Sequence, residues 1–449
     1  MPRKAPSDSP PSAPSGVSAL ARGLALGLAL VMSPAQAEPG VTASPQAGRI
    51  EGVQLWKLPP TPNGLVPSQS WHATGSAPNG DLYVAGMDHR TNAALYRLPA
   101  GRDDLRLVGD ARSASEAAGN WHPSETAEKF HTRPTFMNGK VYVATMDSSG
   151  LDADYKAKRG FHWYAYDPDT DHFTDLSARE KGGTGLPHGS VVTLAADPAR
   201  NALFGAIVPT GEVVRYDATG GVTASLGRPA GYDRPFLYVN RFMFTDAKGR
   251  LYGSAGAGPG YAAGIYAHLY RYEPGVGPVP RPDLPLVEPR ALETGRCFPD
   301  RQLCFAADSR GHLYRFSEDA AGDTIAWTAI GQVTMERPGS FLWMFQVDPA
   351  GATAYAAATS YAPDAGPASL YEVDLATGRS TRLCSLADLD PRLSALNVHT
   401  GYDAWDAQGR FAFASFAGEG ESEVLLTRVD PAQLKAALRA RCRDAACTP

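Results

Sequence analysis

One phrase recurs along this chain and limits the available folds more than any other feature of the sequence. It comprises an apolar strand, a turn rich in Asp, Asn or Gly, a second strand, and a third strand similar to Leu-Tyr-Arg-Tyr. Seven copies are legible, with the cores GDLYVAGMDHRTNAALYRL, GKVYVATMD, NALFGAIVPTGEVVRYD, GRLYGSAG, RQLCFAADSRGHLYRF, ATAYAAATS and GRFAFASFAG. Self-similarity at a fixed period marks an architecture built from repeated units.

The repeats predict an all-β protein, a seven-bladed β-propeller. Their strands are short, rich in β-branched and aromatic residues, and separated by Gly, Pro, Asp and Asn. Seven four-stranded units of about 40–50 residues are typical of this fold. We expect the propeller to span residues 48–430, with the strand at 51–58 completing the seventh blade from outside. A β-sandwich is the structural alternative, but it would not explain seven similar phrases.

The two ends of the chain read differently from the repeats. Basic residues precede the apolar run GLALGLALVM and the small-residue site AQA, which predicts a secretory signal peptide over residues 1–37. The apolar run is far shorter than the roughly 20 residues that cross a bilayer, so a membrane anchor is disfavoured. Residues 38–47 are expected to be flexible. Residues 431–449 should form a short C-terminal helix and tail, because Asp430 can cap a helix that begins at Pro431.

Charge and cysteine content narrow the class of protein. The formal net charge is −5, and removal of three basic and one acidic residue with the signal peptide makes it −7. Nucleic-acid-binding proteins usually carry a basic excess, so we expect no nucleic-acid partner. Five cysteines fit export to the periplasm or beyond. Cys297 can pair with Cys304, and Cys442 with either Cys447 or Cys384.

Polar and aromatic residues collect where the first strand of each predicted blade begins. In a propeller these strands line the central channel, so their entry ends meet at one face. The residues at these entries are Trp71 and His72 in blade one, His131 and Arg133 in blade two, His188 in blade three, Tyr238 and Arg241 in blade four, Trp343 in blade six, and His399 and Tyr402 in blade seven.

A single histidine at a strand end is most often structural, bonded to a backbone carbonyl. Four histidines at equivalent points, together with arginines and aromatic side chains, favour a functional site. By contrast, Arg97, Arg215, Arg271 and Arg315 recur in the repeated phrase itself, which indicates a structural role.

Histidine, tyrosine and arginine without an evident pair of catalytic carboxylates suit β-elimination from a uronic acid. A base removes the C5 proton, an acid protonates the departing oxygen, and arginine neutralises the carboxylate in bidentate fashion. Flat apolar faces for sugar rings would come from Trp71, Trp343 and Tyr402. We therefore predict an acidic polysaccharide or oligosaccharide as substrate.

The order HTRP, YDPxTxxFxDL and PHGSVVTLAADPARNALFGAIVPTGEVVRYD resembles seven-bladed propeller polysaccharide lyases of the ulvan and oligouronide type. The resemblance implies His131, His188, Tyr238 and Arg241 as catalytic residues. Arg133, whose backbone is restricted by Pro134, is a second candidate to bind the carboxylate. His72 and His399 join the aromatic residues as substrate contacts.

The resemblance also allows a structural divalent metal, Zn²⁺ or Ca²⁺, although the sequence shows no ligand set. We expect a monomer. The alternative function is a non-catalytic periplasmic propeller that binds a ligand or assists assembly. A metal-dependent propeller lactonase or lyase is disfavoured because acidic residues are sparse at the blade entries.

Overall fold

The computed structural model describes residues 41–42, 50–147, 155–229, 241–254, 267–273, 275–288, 291–335, 340–360, 362, 366–417 and 423–444. The predicted signal peptide therefore lies outside the described residues, as does Tyr238.

The described strands form seven antiparallel sheets, which are the blades of a seven-bladed β-propeller. Two strands precede the first complete repeat: β1 (Val41–Thr42) and β2 (Val53–Lys57). Blade one contains β3 (Thr74–Ser76), β4 (Leu82–Met87), β5 (Ala93–Leu98) and β6 (Asp104–Asp110). Blade two contains β7 (Lys129–Phe130), β8 (Thr135–Met137), β9 (Lys140–Met146), β10 (Trp163–Asp167) and β11 (His172–Asp175). Blade three contains β12 (Ser190–Asp197), β13 (Ala202–Val208), β14 (Val213–Asp217) and β15 (Val222–Ser225).

Blades four to seven follow the same plan. They contain β16 (Phe244–Thr245), β17 (Leu251–Ser254), β18 (His268–Glu273), β19 (Gly277–Pro285); β20 (Leu292–Phe298), β21 (Leu303–Asp308), β22 (His312–Glu318), β23 (Ile325–Gln332); β24 (Phe341–Val347), β25 (Thr353–Thr359), β26 (Ser369–Asp374), β27 (Ser380–Ser385); and β28 (Asn397–Thr400), β29 (Phe411–Phe416), β30 (Leu425–Val429). The seven-bladed propeller predicted from the repeats is confirmed.

The seventh blade is completed by a strand from the other end of the chain. β2 pairs antiparallel with β30, and the register runs from Val53 opposite Val429 to Lys57 opposite Leu425. Successive side chains of a strand point to opposite faces. Leu55 therefore packs towards blade six and Trp56 towards blade one, and both are buried. The predicted role of residues 51–58 is confirmed.

The segment expected to be flexible, residues 38–47, departs from that expectation at Val41 and Thr42. Their backbone pairs with Leu105 and Asp104 of β6 and adds a fifth strand to blade one. An outer strand leaves one row of backbone N–H and C=O groups unpaired, which gives an extended segment a ready partner.

Seven apolar clusters hold the ring together, and each lies between two neighbouring blades. In β4, for example, Leu82 and Val84 face blade seven, whereas Tyr83 and Ala85 face blade two. Both faces of each blade are covered, which explains why the inner strands are apolar at consecutive positions. Aspartates brace the turns: Asp81, Asp246 and Asp308 each accept a hydrogen bond from a tyrosine in the following strand.

The described α-helices are α1 (Ala111–Ala117), α2 (Leu386–Leu389) and α3 (Pro431–Asp444). α3 is the predicted C-terminal helix; the Asp430 carboxylate accepts hydrogen bonds from the first-turn N–H groups, and Leu434 is fully buried against blades six and seven. No helix in the described ranges is long and apolar enough to cross a membrane.

The cysteines separate into a bridge and a buried thiol. Cys297 and Cys304 lie opposite each other on β20 and β21 and form the predicted disulfide. Cys384 is a free, buried cysteine, and burial raises its thiol pKa to about 12. Cys447 lies outside the described residues, so its pairing stays a prediction.

Ring closure gives a test of stability. Leu55→Ala removes a fully buried side chain at the closing strand, and we expect the free energy of unfolding to fall by about 2–5 kcal/mol in a urea titration. Lys57→Ala is the matched control, because the exposed Lys57 side chain pairs only with the equally exposed Glu423, and its change should stay within about 0.5 kcal/mol. Equal losses in the two variants would contradict closure by this strand.

Candidate functional site

The blade entries bring five of the predicted residues into one cluster: His72, His131, Arg241, Trp343 and Tyr402. The His72 ring lies 4.7 Å from the His131 ring, 5.2 Å from Tyr402 and 5.6 Å from Trp343, measured between centroids. Arg241 places its Cζ 5.7 Å from the Trp343 ring. Blades one, two, four, six and seven thus contribute to one group of side chains, which we call the entry cluster.

β-Bulges aim part of this cluster. The register between the first two strands shifts at the same place in blades three, five, six and seven. A bulge leaves one extra residue out of the ladder and redirects its side chain. The extra residues are Val192, Glu293, Trp343 and His399, and each contacts a residue of the entry cluster directly or through its backbone.

Both ring nitrogens of His72 are engaged within the protein. Arg241 Nη1 lies 2.7 Å from Nε2, and because a guanidinium only donates, Nε2 must accept. A neutral imidazole then carries its proton on Nδ1, which contacts the Tyr402 hydroxyl. Nδ1–H donates to the phenolic oxygen and leaves the tyrosine's own proton free to be donated elsewhere. Tyr402 is therefore oriented as a proton donor.

His131 has the opposite arrangement. Its Nδ1 lies 2.9 Å from the carbonyl oxygen of Val192, which can only accept, so Nδ1 carries the proton. The other nitrogen, Nε2, makes no hydrogen bond to any of the described residues. In the neutral ring Nε2 is an unprotonated base, and its direction is fixed by the backbone of blade three.

Burial and nearby positive charge keep both imidazoles neutral. Burial, followed by the charge of Arg241, holds the pKa of His72 and of His131 well below the usual value of 6.5. Lys129 acts in the same direction on both rings. At neutral pH neither imidazole holds an excess proton, and of the two rings only His131 keeps a nitrogen that can accept one, because His72 Nε2 already accepts from Arg241.

Arg241 is the charged centre of the entry cluster. Its Nε lies 3.6 Å from the Glu293 carboxylate, and its backbone is held by hydrogen bonds to Leu292 and Thr193 in the neighbouring blades. A cation–π contact with the Trp343 ring helps to hold the guanidinium in place. This geometry presents a rigid, positively charged fork beside His72.

The aromatic residues divide into a partly exposed and a buried set. Trp71 is partly exposed and meets Trp343 edge to face at 5.6 Å. His399 is fully buried and stacks at 3.9 Å on Phe416 beneath Trp71. Its predicted role as a substrate contact is therefore corrected: the bulge places His399 in the packed layer under the cluster.

Two further predicted site residues, His188 and Arg133, lie outside the entry cluster. His188 is exposed, has a left-handed backbone with φ 61°, and hydrogen bonds through Nδ1 to the carbonyl of Lys158. The turn carries its side chain to the loop of blade two, so the predicted pair of His131 and His188 is not formed. Arg133 packs on Phe242 with its Cζ 5.5 Å from the ring. Tyr238 lies outside the described residues.

The sequence reasoning overlooked Lys129 and Glu293. Lys129 is buried, with Nζ 2.8 Å from His89 Nε2 and 5.9 Å from the Trp71 ring. Its position two residues before His131 was the available signal. Glu293 gave no signal, because its approach to Arg241 depends on the bulge in blade five.

In the described part of the chain, no group of three or more His, Cys, Asp or Glu side chains is arranged to hold a metal ion. Zn²⁺ or Ca²⁺ stays a prediction.

Among known proteins, the matches to this chain are similarities in three-dimensional structure. No protein-family model matches the sequence, and no curated protein matches it. A chain of the mitotic checkpoint complex is similar in structure, with 12% identity, a TM-score of 0.49, and coverage of 85% of this chain and 95% of that one. A structural-genomics protein of unknown function from Bacteroides thetaiotaomicron VPI-5482 has 9% identity, a TM-score of 0.41, and coverage of 87% and 76%.

The buried histidine beneath the cluster gives a pH test. Burial lowers the pKa of His399 to about 3, whereas the unfolded chain takes up this proton near pH 6.5. Stability is therefore lost as pH falls from 6.5 towards 3, and His399 contributes about 1.4 kcal/mol per pH unit to that loss. His399→Gln should show a shallower decline of unfolding free energy between pH 6.5 and 4 than the parent.

Val222→Gln, at an exposed position, is the control, because it introduces the same side chain without removing a titratable group and should keep the parental slope. If the parent and His399→Gln lose stability at the same rate, His399 is not held neutral by burial.

Proposed function

We propose that the entry cluster cleaves a uronate-containing polysaccharide or oligosaccharide by β-elimination. The observation that carries the proposal is His131: a neutral buried imidazole with its proton fixed on Nδ1, an unprotonated Nε2, and the positive charge of Arg241 close by. A base of this kind next to a guanidinium suits abstraction of a proton beside a carboxylate.

Each residue takes one part of the reaction. The Arg241 guanidinium binds the uronate carboxylate and offsets the charge that develops as the C5 proton leaves. His131 Nε2 takes that proton, the electron pair of the C5–H bond forms the C4–C5 double bond, and the C4–O bond breaks. Tyr402 gives its hydroxyl proton to the departing oxygen, and His72 Nδ1–H stabilises the phenolate that remains.

The partly exposed Trp71 ring supports sugar binding, since its apolar face can cover one side of a pyranose. Lys129 beside it adds positive charge that favours an acidic polymer. The disulfide and the predicted signal peptide support export to the periplasm or the exterior.

A second candidate is a propeller that binds an acidic glycan without turnover. The contacts of His72 favour this function. Each of its two ring nitrogens already has a partner, in Tyr402 and Arg241, and the residue is only 2% exposed. Incubation with a panel of uronate polymers separates the two functions. A lyase produces an unsaturated uronate that absorbs in the ultraviolet, whereas a binding protein retains the polymer intact.

Replacement of the proposed base tests the assignment of His131. His131→Ala should lower turnover about 10²–10⁴-fold, because the C5 proton has no other acceptor in the entry cluster. His188→Ala is the matched control and should keep the parental rate, as its ring lies on the loop by Lys158. Thermal melts of both proteins show whether the fold is retained. Parental turnover in a folded His131→Ala protein would exclude His131 as the base.

The role of Arg241 is tested by a substitution that keeps charge and removes bidentate geometry. Arg241→Lys should reduce turnover on uronates at least about tenfold with little change in melting temperature, since lysine offers a point charge where a fork is needed. Arg301→Lys, on the exposed turn of blade five, should change neither quantity. Unaltered turnover in Arg241→Lys would show that the carboxylate is bound elsewhere.

A further inference from the structure

Arg133 lies outside the entry cluster, in blade two. It precedes β8, and Pro134 biases its backbone to an extended conformation. The segment presses on blade one at Gly75, where a Cβ atom would overlap the carbonyl oxygen of Pro134. Only glycine allows this approach, so the backbone that carries Arg133 is held from two sides.

The Arg133 guanidinium reaches Phe242 of blade four, with its Cζ 5.5 Å from the ring centroid. Across the described residues it makes no hydrogen bond and no ion pair, although the residue is partly buried. Its five N–H donors, held in a fixed fork, thus have no acceptor among the residues that the structure describes. Burial is the main effect that lowers the Arg133 pKa from its ordinary value, and the nearby charge of Arg296 acts in the same direction.

Arg296 supplies a second guanidinium from the inner strand of blade five. Its Nε lies 3.0 Å from Asp403 Oδ1, and Nη1 donates to the Val347 carbonyl at 3.1 Å. Within the described ranges its other terminal nitrogen has no hydrogen-bond acceptor. The Phe298 ring covers one side of this guanidinium at 5.2 Å.

Asp403 is the carboxylate that joins the two arginines. It follows β28 with a left-handed backbone, φ 44°, and Ser76 Oγ fixes it by donating to its carbonyl at 2.6 Å. Ser76 follows Gly75, against which the Pro134 carbonyl packs, so Asp403 lies close to the backbone that carries Arg133. The charge of Asp403 also acts to raise the Arg133 pKa. Two guanidiniums and one carboxylate give the group an excess positive charge in a partly buried place.

We propose that Arg133, Arg296 and Asp403 form a binding site for hydrogenphosphate. A partly buried guanidinium such as that of Arg133, with no acceptor among the described residues, is costly, and the bidentate fit of arginine to a phosphate oxygen pair offsets that cost. The site is distinct from the entry cluster and does not rest on the proposed function.

Asp403 gives the site its selectivity. An ionised carboxylate only accepts hydrogen bonds, so it repels an anion that has no proton to donate. Hydrogenphosphate carries such a proton at neutral pH and can donate it to Asp403, whereas sulfate carries none. The site should therefore bind phosphate more tightly than sulfate.

Titration calorimetry of the full-length protein with inorganic phosphate at constant ionic strength tests the proposal. We expect one phosphate per chain, at least about tenfold weaker binding of sulfate, and a loss of about tenfold or more in phosphate affinity for Arg133→Gln and Arg296→Gln. Asp403→Asn should reduce the preference for phosphate over sulfate, because an amide can donate to either anion. Glucose 6-phosphate, titrated in parallel above pH 7, should bind as weakly as sulfate, because its dianion has no proton to donate to Asp403.

Arg301→Gln is the matched control, since Arg301 packs on the same Phe298 ring at 4.9 Å but has a 44% exposed side chain. Its phosphate affinity should equal that of the parent. Absence of phosphate binding, equal affinity for sulfate, or binding that survives in a folded Arg133→Gln or Arg296→Gln protein would overturn the proposal. Arg133→Lys serves as the second variant if Arg133→Gln does not fold. Turnover of uronates is a separate measurement, so failure of either proposal leaves the other intact.

Discussion

The pairing of β2 with β30 is the interaction on which the rest of the molecule depends. It joins residues from opposite ends of the chain, such as Gln54 and Arg428, and supplies the outer strand of blade seven. The buried Arg428 side chain reinforces the seam: it lies against Trp56 and binds Asp103 of blade one. The start of the chain is thereby fixed to blade seven, next to blade one.

The entry cluster is built across the same seam. The backbone N–H of His72 in blade one donates to the carbonyl of His399 in blade seven, and Thr74 Oγ1 accepts from the N–H of Tyr402. The contact between His72 and Tyr402 therefore exists only in the closed ring. The group of Arg133, Arg296 and Asp403 has the same origin, because Ser76 of blade one holds Asp403 of blade seven. Closure is thus a condition for both sites as well as for stability.

Buried histidines of this protein have opposite protonation states, depending on the charges around them. His162 lies between Asp175 at 2.9 Å and Glu125 at 3.0 Å, and hydrogen bonds to these carboxylates raise its pKa to about 9 against the effect of burial. Its charge therefore stabilises the fold below the unfolded pKa near 6.5, and this contribution is lost as pH rises through about 9. His72 and His131 have Arg241 and Lys129 as neighbours instead, so they stay neutral. The first environment is structural, and the second is suited to base chemistry.

The repeats were sufficient to predict the blades, their number, the closing strand and the helix that begins at Pro431, because each rests on local patterning or on symmetry. Symmetry also grouped His72, His131, Arg241, Trp343 and Tyr402 correctly, since equivalent strand starts meet at one face. It failed where a backbone irregularity intervened. A positive φ turns His188 away, and a one-residue bulge buries His399, because a shift of one residue in a strand reverses the direction of the side chain.

Two neighbouring residues of blade four separate the two arginines that the sequence could not rank as partners for a carboxylate. Arg241 and Phe242 are consecutive residues just before β16, and their side chains contact different groups. Arg241 meets His72 and Trp343, whereas Phe242 packs against Gly295 of blade five and receives Arg133 on its face. Arg133 is thus kept apart from the imidazoles by the residue next to Arg241 itself. A substrate carboxylate bound beside His131 and Tyr402, as proposed, would therefore be neutralised by Arg241, and Arg133 would be left to the anion proposed for its own site.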